Sequence, residues 1–428
     1  MSVLFYAGVV VVAGAASLTR LLLTNPTALS TLVWAEDGLF PLCIAHHGYL
    51  PCLVDPFAGY LLFLSRTLAL PVSWFPVDTW PVATNLVAAL SVGALAALLA
   101  WVLVRSGWSR PVAFVTALVP VVVPIAGFEA VNASGSAYMV LLVVAAALVS
   151  LPAVRDINVW VIAAVFLAAS LTIPSSVVLV APLALATLGY SRDWRRFGIA
   201  AGSLTAGLAA QAFIVLTADD PRRVAVSVQS LDRWVQGIPT ALRTLWPGNV
   251  QLGPTGVLEG SSAPLPASGW LLLVCLLVGA GLLAFLGIRY AEPRITGLGL
   301  FLGAGLMLGA VPAIAGFANN RYYVIPTTVF AMVVALLIGM ITRVNSLVLA
   351  GGLVAAMLLV WTFGFPAGDY RSKAAPEWKG MLAEVRSVCD SGAVDVALTF
   401  SPNWPFSDAV FPGVTSQRVP CEWLTDRY

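Results

Sequence analysis

Charge is what this sequence has least of. Only 10% of its 428 residues are charged, Lys373 and Lys379 are the only lysines, and the 2 histidines are His46 and His47. With a net charge of +2, the chain carries neither a basic stripe interleaved with aromatics nor a recognised nucleic-acid module, which excludes nucleic acid as an expected partner. The first apolar run, Val3 to Leu23, lacks a basic leader; it reads as a retained span and not a cleaved signal peptide. No internal repeat is visible. What is abundant is apolar surface: 60% of residues are hydrophobic and mean hydropathy is +0.93, far from soluble-domain usage. Most of the chain must therefore sit in lipid, where each spanning helix needs about 20 mainly apolar residues.

The few arginines sort the junctions between apolar runs. Arg105 with Arg110, Arg155, the group Arg192, Arg195 and Arg196, Arg289 with Arg294, and Arg343 fall at alternate junctions, which places those junctions in the cytoplasm. The pattern predicts helices near 3–24, 80–104, 111–127, 135–153, 157–173, 176–191, 197–217, 268–288, 295–316, 322–342 and 346–364, about eleven spans in all. The N-terminus is then inside and the tail outside. Counting 55–75 as a span would put the arginines outside, so that stretch is expected to be a helix lying on the membrane surface. The fold class is an all-α polytopic membrane protein, with a membrane domain over 1–365 and a small α+β extracytoplasmic domain over 366–428. Outer loops run over 25–79 and 218–267. Within the second, "LDRWVQGIPTALRTLWPG" has the spacing of an amphipathic interfacial helix. In the tail, "PEWKGMLAEVRSVC" has helical periodicity and "AVDVALTF" alternates like a half-buried strand. Arg20 is expected to snorkel from the outer end of the first span.

Of the five cysteines, Cys43 and Cys52 share the first outer loop, Cys389 and Cys421 share the tail, and Cys275 lies inside an apolar run. Pairing Cys43–Cys52 and Cys389–Cys421 as disulfides fits an oxidising exterior; the plainer alternative is small buried apolar residues.

Three polar segments stand at the expected outer surface. "WAEDGLFPLCIAHHGYLP" places Glu36 and Asp37 side by side after the first span, a costly position for two carboxylates. Helical neighbours point about 100° apart, so one is expected to be catalytic and the other structural or metal-binding, with Gly38 permitting a turn that aims Asp37. The alternative is charge at a helix N-terminus. "FANNRYYVIP" supplies Arg321, whose forked donors suit a phosphate, with Tyr322 or Tyr323 to add a hydroxyl, or an interfacial arginine and aromatic belt would serve equally. "GFEAVNASGSAY" supplies Glu129 and Asn132 for a sugar or acceptor hydroxyl, with His46 and His47 as further candidates.

An acidic motif in a long first outer loop, a surface helix after it, an acidic residue in a short second loop and an Arg-Tyr-x-x-x-Pro-like entry to a late helix resemble the C-type glycosyltransferase superfamily. "WAEDG" followed by "DPFAGYLLFLSRTLALP" is similar to bacterial membrane proteins related to phage-type O-antigen glucosyltransferases. The resemblance implies Asp37 as the catalytic acidic residue, Glu129 as the second acidic position, and Arg321 at the lipid phosphate; Tyr322 and Arg66 are further candidates for that phosphate. It implies a bacterial plasma membrane enzyme, active outside the cytoplasm, that moves sugar from a polyprenyl-phosphate donor to a glycan or glycolipid. The chain lacks the Trp-Trp-Asp motif and MIR-like repeats of enzymes that glycosylate protein, which disfavours a protein acceptor. No cofactor is required by this chemistry; a divalent cation, Mg or Mn, held by Asp37 and Glu129 stays open. A transporter or flippase of lipid-linked sugars, with Gln211 among its rare polar interior residues, and a polysaccharide polymerase are the rival readings.

Overall fold

The computed structural model describes residues 2–24, 26–31, 33, 35–56, 60–123, 137–152, 156–217, 228–243, 251–252, 258–259, 266–315, 320–341, 377–399 and 416–426. The chain begins with α1 (Ser2–Thr24) and α2 (Ala28–Thr31), then α3 (Ala35–His47), α4 (Tyr49–Val54) and α5 (Phe63–Val72). Next come α6 (Trp80–Arg105), α7 (Arg110–Val122), α8 (Ala137–Ser150) and α9 (Val159–Thr172). A 3-10 turn (Pro174–Leu179) leads into α10 (Val180–Ala186) and a π turn (Thr187–Ser191), followed by α11 (Trp194–Thr217) and α12 (Val228–Arg243). Two short strands, β1 (Gln251–Leu252) and β2 (Leu258–Glu259), precede α13 (Pro266–Arg289), α14 (Pro293–Ile314), a 3-10 turn (Asn320–Tyr323) and α15 (Val324–Ile341). The tail comprises α16 (Trp378–Asp390), β3 (Asp395–Thr399), β4 (Ser416–Pro420) and α17 (Cys421–Asp426).

Prolines set many of these bounds. Pro81 and Pro111 occupy first turns, where a missing amide costs nothing. α7 stops at Val122, two residues before Pro124, and Ile173 takes extended angles ahead of Pro174. The expected surface helix over 55–75 is shorter than its apolar run. Asp55 is extended at ψ 124 because Pro56 follows it, and the helix occupies only Phe63–Val72.

Among the described residues, five helices are long and apolar enough to cross a membrane: Val3–Leu23, Val77–Arg105, Trp194–Ile214, Gly269–Arg289 and Pro293–Ile314. The other expected spans before residue 342 are present as shorter apolar segments, of 10–17 residues where helical, and 346–364 lies outside the described residues. α8 is apolar on every face and every one of its residues is buried, which makes it the axis of the bundle. α13 is the opposite case, with Leu271, Val274, Val278 and Phe285 turned outward as a lipid-facing helix requires. Neighbouring helices approach closely through small residues. A side chain at Gly93 would strike the Val10 backbone across α1 and α6, and one at Gly207 would strike Ser170 across α9 and α11.

The bundle has two chemically different ends. Gly107 lies against Arg294, Gly297 against Ser150 and Pro152, and Arg196 donates to the Ile157 carbonyl, so the basic junctions gather at one end. α6, about 39 Å long at 1.5 Å per residue, carries the chain to the other end. There the first loop, α12 and the tail collect. Arg20 does not snorkel: it is 2% exposed, and its Nη1 donates to the Val121 carbonyl at 2.8 Å. The cause is α7 ending at Val122, which leaves terminal carbonyls in need of a donor, and a cation suits that end of the helix dipole.

Gln211 fixes the entry to α5. Its Oε1 accepts from Leu61 N at 2.8 Å, while its Nε2 donates to the carbonyls of Leu61 (3.2 Å) and Leu171 (2.7 Å). One buried amide thus satisfies three backbone groups where water is absent. Thr172 Oγ1 adds an acceptor for the Leu64 amide at 3.2 Å.

In the tail, β3 and β4 pair antiparallel with Val396 opposite Val419 and Leu398 opposite Gln417. Trp378, Met381, Leu382 and Val385 form one buried stripe of α16. Both disulfides form: Cys43–Cys52 closes α3 on α4, helped by Gly48 at φ 84 between them, and Cys389–Cys421 ties α16 to α17.

Two measurements check this packing. Denatured without reductant, the protein should take up one maleimide, at Cys275, and after reduction all five cysteines should react. Gln211→Leu keeps the volume but strands three backbone groups, so it should destabilise the fold by about 1–3 kcal/mol and speed amide exchange across residues 60–64. An unchanged melting temperature and exchange pattern would show that those groups find other partners.

Candidate active site

α3, α4 and α5 form one small pack at the end opposite the basic junctions. Its core is Leu39, Phe40, Ile44, Cys52, Leu62 and Ala69. Asp37 is the third residue of α3 and is 4% exposed. Gly38 is ordinary helix and not the turn expected of it, because α3 runs unbroken from Ala35 to His47. Asp37 therefore stands in the first turn, where the helix dipole favours a carboxylate in its charged form. Glu36 precedes it on the same turn, about 100° away, and its side chain lies outside the described residues.

Arg66 projects from α5 toward the same pack. It is 2% exposed, with its guanidinium 4.8 Å from the centroid of the Phe40 ring. Phe40 is three residues beyond Asp37, a spacing that puts the two on adjoining faces of α3. The partner of Arg66 is Asp55, at 3.8 Å and with its own side chain 63% exposed. The Arg66 Nε makes no hydrogen bond among the described residues. Burial pulls the Arg66 guanidinium down to about 10, with Asp55 opposing that shift, so it stays cationic at neutral pH. A buried cation with one distant, wet partner is under-neutralised. Its surroundings favour an incoming anion with oxygens in the guanidinium plane.

The turn that carries Arg321 is held separately. Asn320–Tyr323 forms a 3-10 turn ahead of α15, and α12 lies across it. Trp234 of α12 is fully buried, stacks on Tyr323 at 5.9 Å and 4°, and donates from Nε1 to the Tyr322 carbonyl at 3.4 Å. The Tyr323 hydroxyl donates to the Arg233 carbonyl at 3.4 Å. The amphipathic helix expected in the 218–267 loop is thus a brace for this turn. The Arg321 side chain, Glu129 and Asn132 lie outside the described residues.

The histidine pair is divided in its roles. His46 stacks on Trp423 of the tail at 5.0 Å and 24°, and sits 5.4 Å from the ring of His47, which is exposed. His46 is thus turned toward protein. Among the described residues, no group of three His, Cys, Asp or Glu side chains is arranged to hold a metal ion.

Sequence reasoning missed Trp378, Trp423, Asp55 and the inward turn of Arg20. The one available signal was Pro124, which announces an α7 terminus in need of a cap. No family model, curated protein or solved structure matches this chain, so its function has to be argued from the residues themselves.

Proposed function

We propose that the protein is an inverting glycosyltransferase of the C-type kind, moving a sugar from a polyprenyl-phosphate donor to a hydroxyl of a cell-envelope glycan or glycolipid. The observation that supports this reading is a buried carboxylate, Asp37, on α3 beside the helix α5 that bears the buried guanidinium of Arg66, whose one ion pair among the described residues is long. Asp37 takes the proton of the acceptor hydroxyl, whose oxygen then attacks the anomeric carbon from the face opposite the phosphate. The bond from that carbon to the phosphate oxygen breaks, and the lipid phosphate leaves with the electron pair. Arg66 and Arg321 stabilise that charge, and Tyr322 adds a hydroxyl. Base catalysis of this kind supplies roughly 10²- to 10⁴-fold, and charge stabilisation of the leaving group is often the larger contribution. Glu129 and Asn132 are assigned to the sugar or acceptor, with His47 as the accessible member of the histidine pair. The membrane is the bacterial plasma membrane, and the end bearing the first loop and the tail faces outward, because the basic junctions collect at the other end.

A transporter of lipid-linked sugars is the second reading. It is favoured by the interrupted helix over 174–191 and by Ser175 and Ser176, whose buried hydroxyls have no hydrogen-bond partner among the described residues. Transfer proceeds in detergent, whereas transport needs a sealed membrane.

The test is transfer by detergent-purified protein from labelled polyprenyl-phosphate hexoses and pentoses to envelope glycolipid extracts. Asp37→Asn should fold normally and lose about two or more orders of magnitude in turnover, with Glu36→Gln milder. Arg66→Ala and Arg321→Ala should raise the donor KM, and lysine at either place should recover only part, since an ammonium keeps charge but loses the fork. Full turnover in Asp37→Asn would remove the assignment. Orientation is checked independently: alkaline phosphatase fused after Tyr428 should be active, and an active cytoplasmic reporter there would reverse the outward face.

A further inference from the structure

α3 carries the proposed base, yet it lies outside the long apolar helices and spans only 13 residues, a length at which an isolated helix is marginal in water. Its order must come from what packs on it. One side faces α5 through Leu39, Phe40 and Ile44. The other side does not face the bundle alone. Leu42, 1% exposed, and Val33 just before α3 belong to a second core that includes Val72, Val77 and Trp80 and is completed by Trp378, Met381, Leu382, Val396, Val419 and Leu424 of the tail.

Two tryptophans make the specific holds. Trp378 stacks near Trp80 at 6.3 Å and 21°, and its Nε1 donates to the Val77 carbonyl at 2.8 Å across 301 residues of sequence. Trp423 covers His46, at the far end of α3, at 5.0 Å. Trp378 lies at the start of α16 and Trp423 in α17, and the Cys389–Cys421 disulfide joins those two helices into one body.

We propose that the tail is a positioning clamp for the helix that bears Asp37, with Trp378 and Trp423 as positioning residues that act through Val77, Trp80 and His46. The clamp itself is independent of the chemistry. Its consequence for turnover rests on the reading of Asp37 as the base. Without the tail, Leu42, Val33 and Trp80 lose their cover and α3 keeps a single packed face. A displacement of about 1 Å in a reacting group costs on the order of 10²-fold in rate, so a loosened α3 lowers kcat. Donor KM changes less than kcat, because Arg66 stands on α5 and meets α3 at Phe40, and Arg321 stands on a turn braced by α12.

The experiment uses the full-length protein with Trp423→Ala, Trp423→Phe, Trp378→Ala and Trp378→Phe, read by hydrogen exchange and by steady-state kinetics. In Trp423→Ala, peptides over residues 35–47 should exchange about tenfold faster or more while α16 and β3 keep their protection. kcat should fall about tenfold or more, with a smaller change in donor KM. The phenylalanine variants, which keep a stacking ring, should recover most of both effects. Should Trp378→Ala unfold the tail, Trp423→Ala decides, since it sits at the margin of the core. Unchanged exchange over 35–47 with an intact tail overturns the clamp. Faster exchange there, combined with full turnover in Asp37→Asn, leaves the clamp standing and removes Asp37 as base.

Discussion

Hydrocarbon offers no hydrogen bonds, and every polar decision in this structure follows from that. A backbone amide or carbonyl left unpaired there costs several kcal/mol, so each interruption of a helix needs a partner brought from elsewhere. α7 ends at Val122, and Arg20 supplies its terminal cap from α1. α9 ends at Thr172, and Gln211 and Thr172 itself bind the incoming loop at Leu61 and Leu64. α12 crosses the turn before α15, and Trp234 donates to the Tyr322 carbonyl exposed there. All three repairs occur at the same end of the bundle. The opposite end closes with short junctions whose arginines and acids pair locally, as Arg294 does with Glu292 at 3.0 Å and Arg196 with Asp193 at 2.9 Å.

That asymmetry explains why buried charge concentrates where it does. Glu292 is partly exposed and hydrogen-bonded to Arg294, which holds its carboxyl below the usual carboxylate range. Arg66 and Asp37 have been taken almost wholly out of water. Desolvating an ion costs several kcal/mol, a cost that a purely structural arginine offsets with close, well-formed partners. The one described ion pair of Arg66 is long and reaches a wet carboxylate. Among the described residues its charge is thus only weakly compensated, which is what the proposed contact with a phosphate would use.

Much of the membrane plan was legible because periodicity and charge bias act locally. Of the arginine junctions, those near Arg105, Arg196 and Arg294 gather together and those at Arg155 and Arg343 lie outside the described residues; the cysteine pairs closed as their loops allowed, and "LDRWVQGIPTALR" became α12 with Trp234 on its buried face. Gly38 was misread, since glycine permits a turn but does not compel one, and the helix signal on both sides of it prevailed. The inward turn of Arg20 was beyond local reading. Its cause is an orphan carbonyl 101 residues away, and an arginine near a membrane surface satisfies snorkelling and capping equally well in sequence. Contacts such as Trp378 to Val77 are harder still, because the apolar stripe of α16 shows that a partner exists without saying which one.

The tail and the first loop illustrate how a short helix at one end of the bundle acquires rigidity. Transmembrane helices are held by lipid and by each other over their whole length, whereas α3 lies at the bundle's mouth and draws on that support through α5 and through the core it shares with Trp80 of α6. On the proposed reading, the Asp37 carboxylate must reach a lipid-anchored sugar, so it cannot stand deep among the long apolar helices. It cannot stand on an unsupported loop either, because base catalysis needs a fixed distance to the acceptor oxygen. A short helix packed on two sides, one by a bundle-anchored helix and one by a disulfide-tied domain, meets both demands. The second core, in which Leu42 and Trp80 meet Trp378 and Leu424, is the physical form that compromise takes.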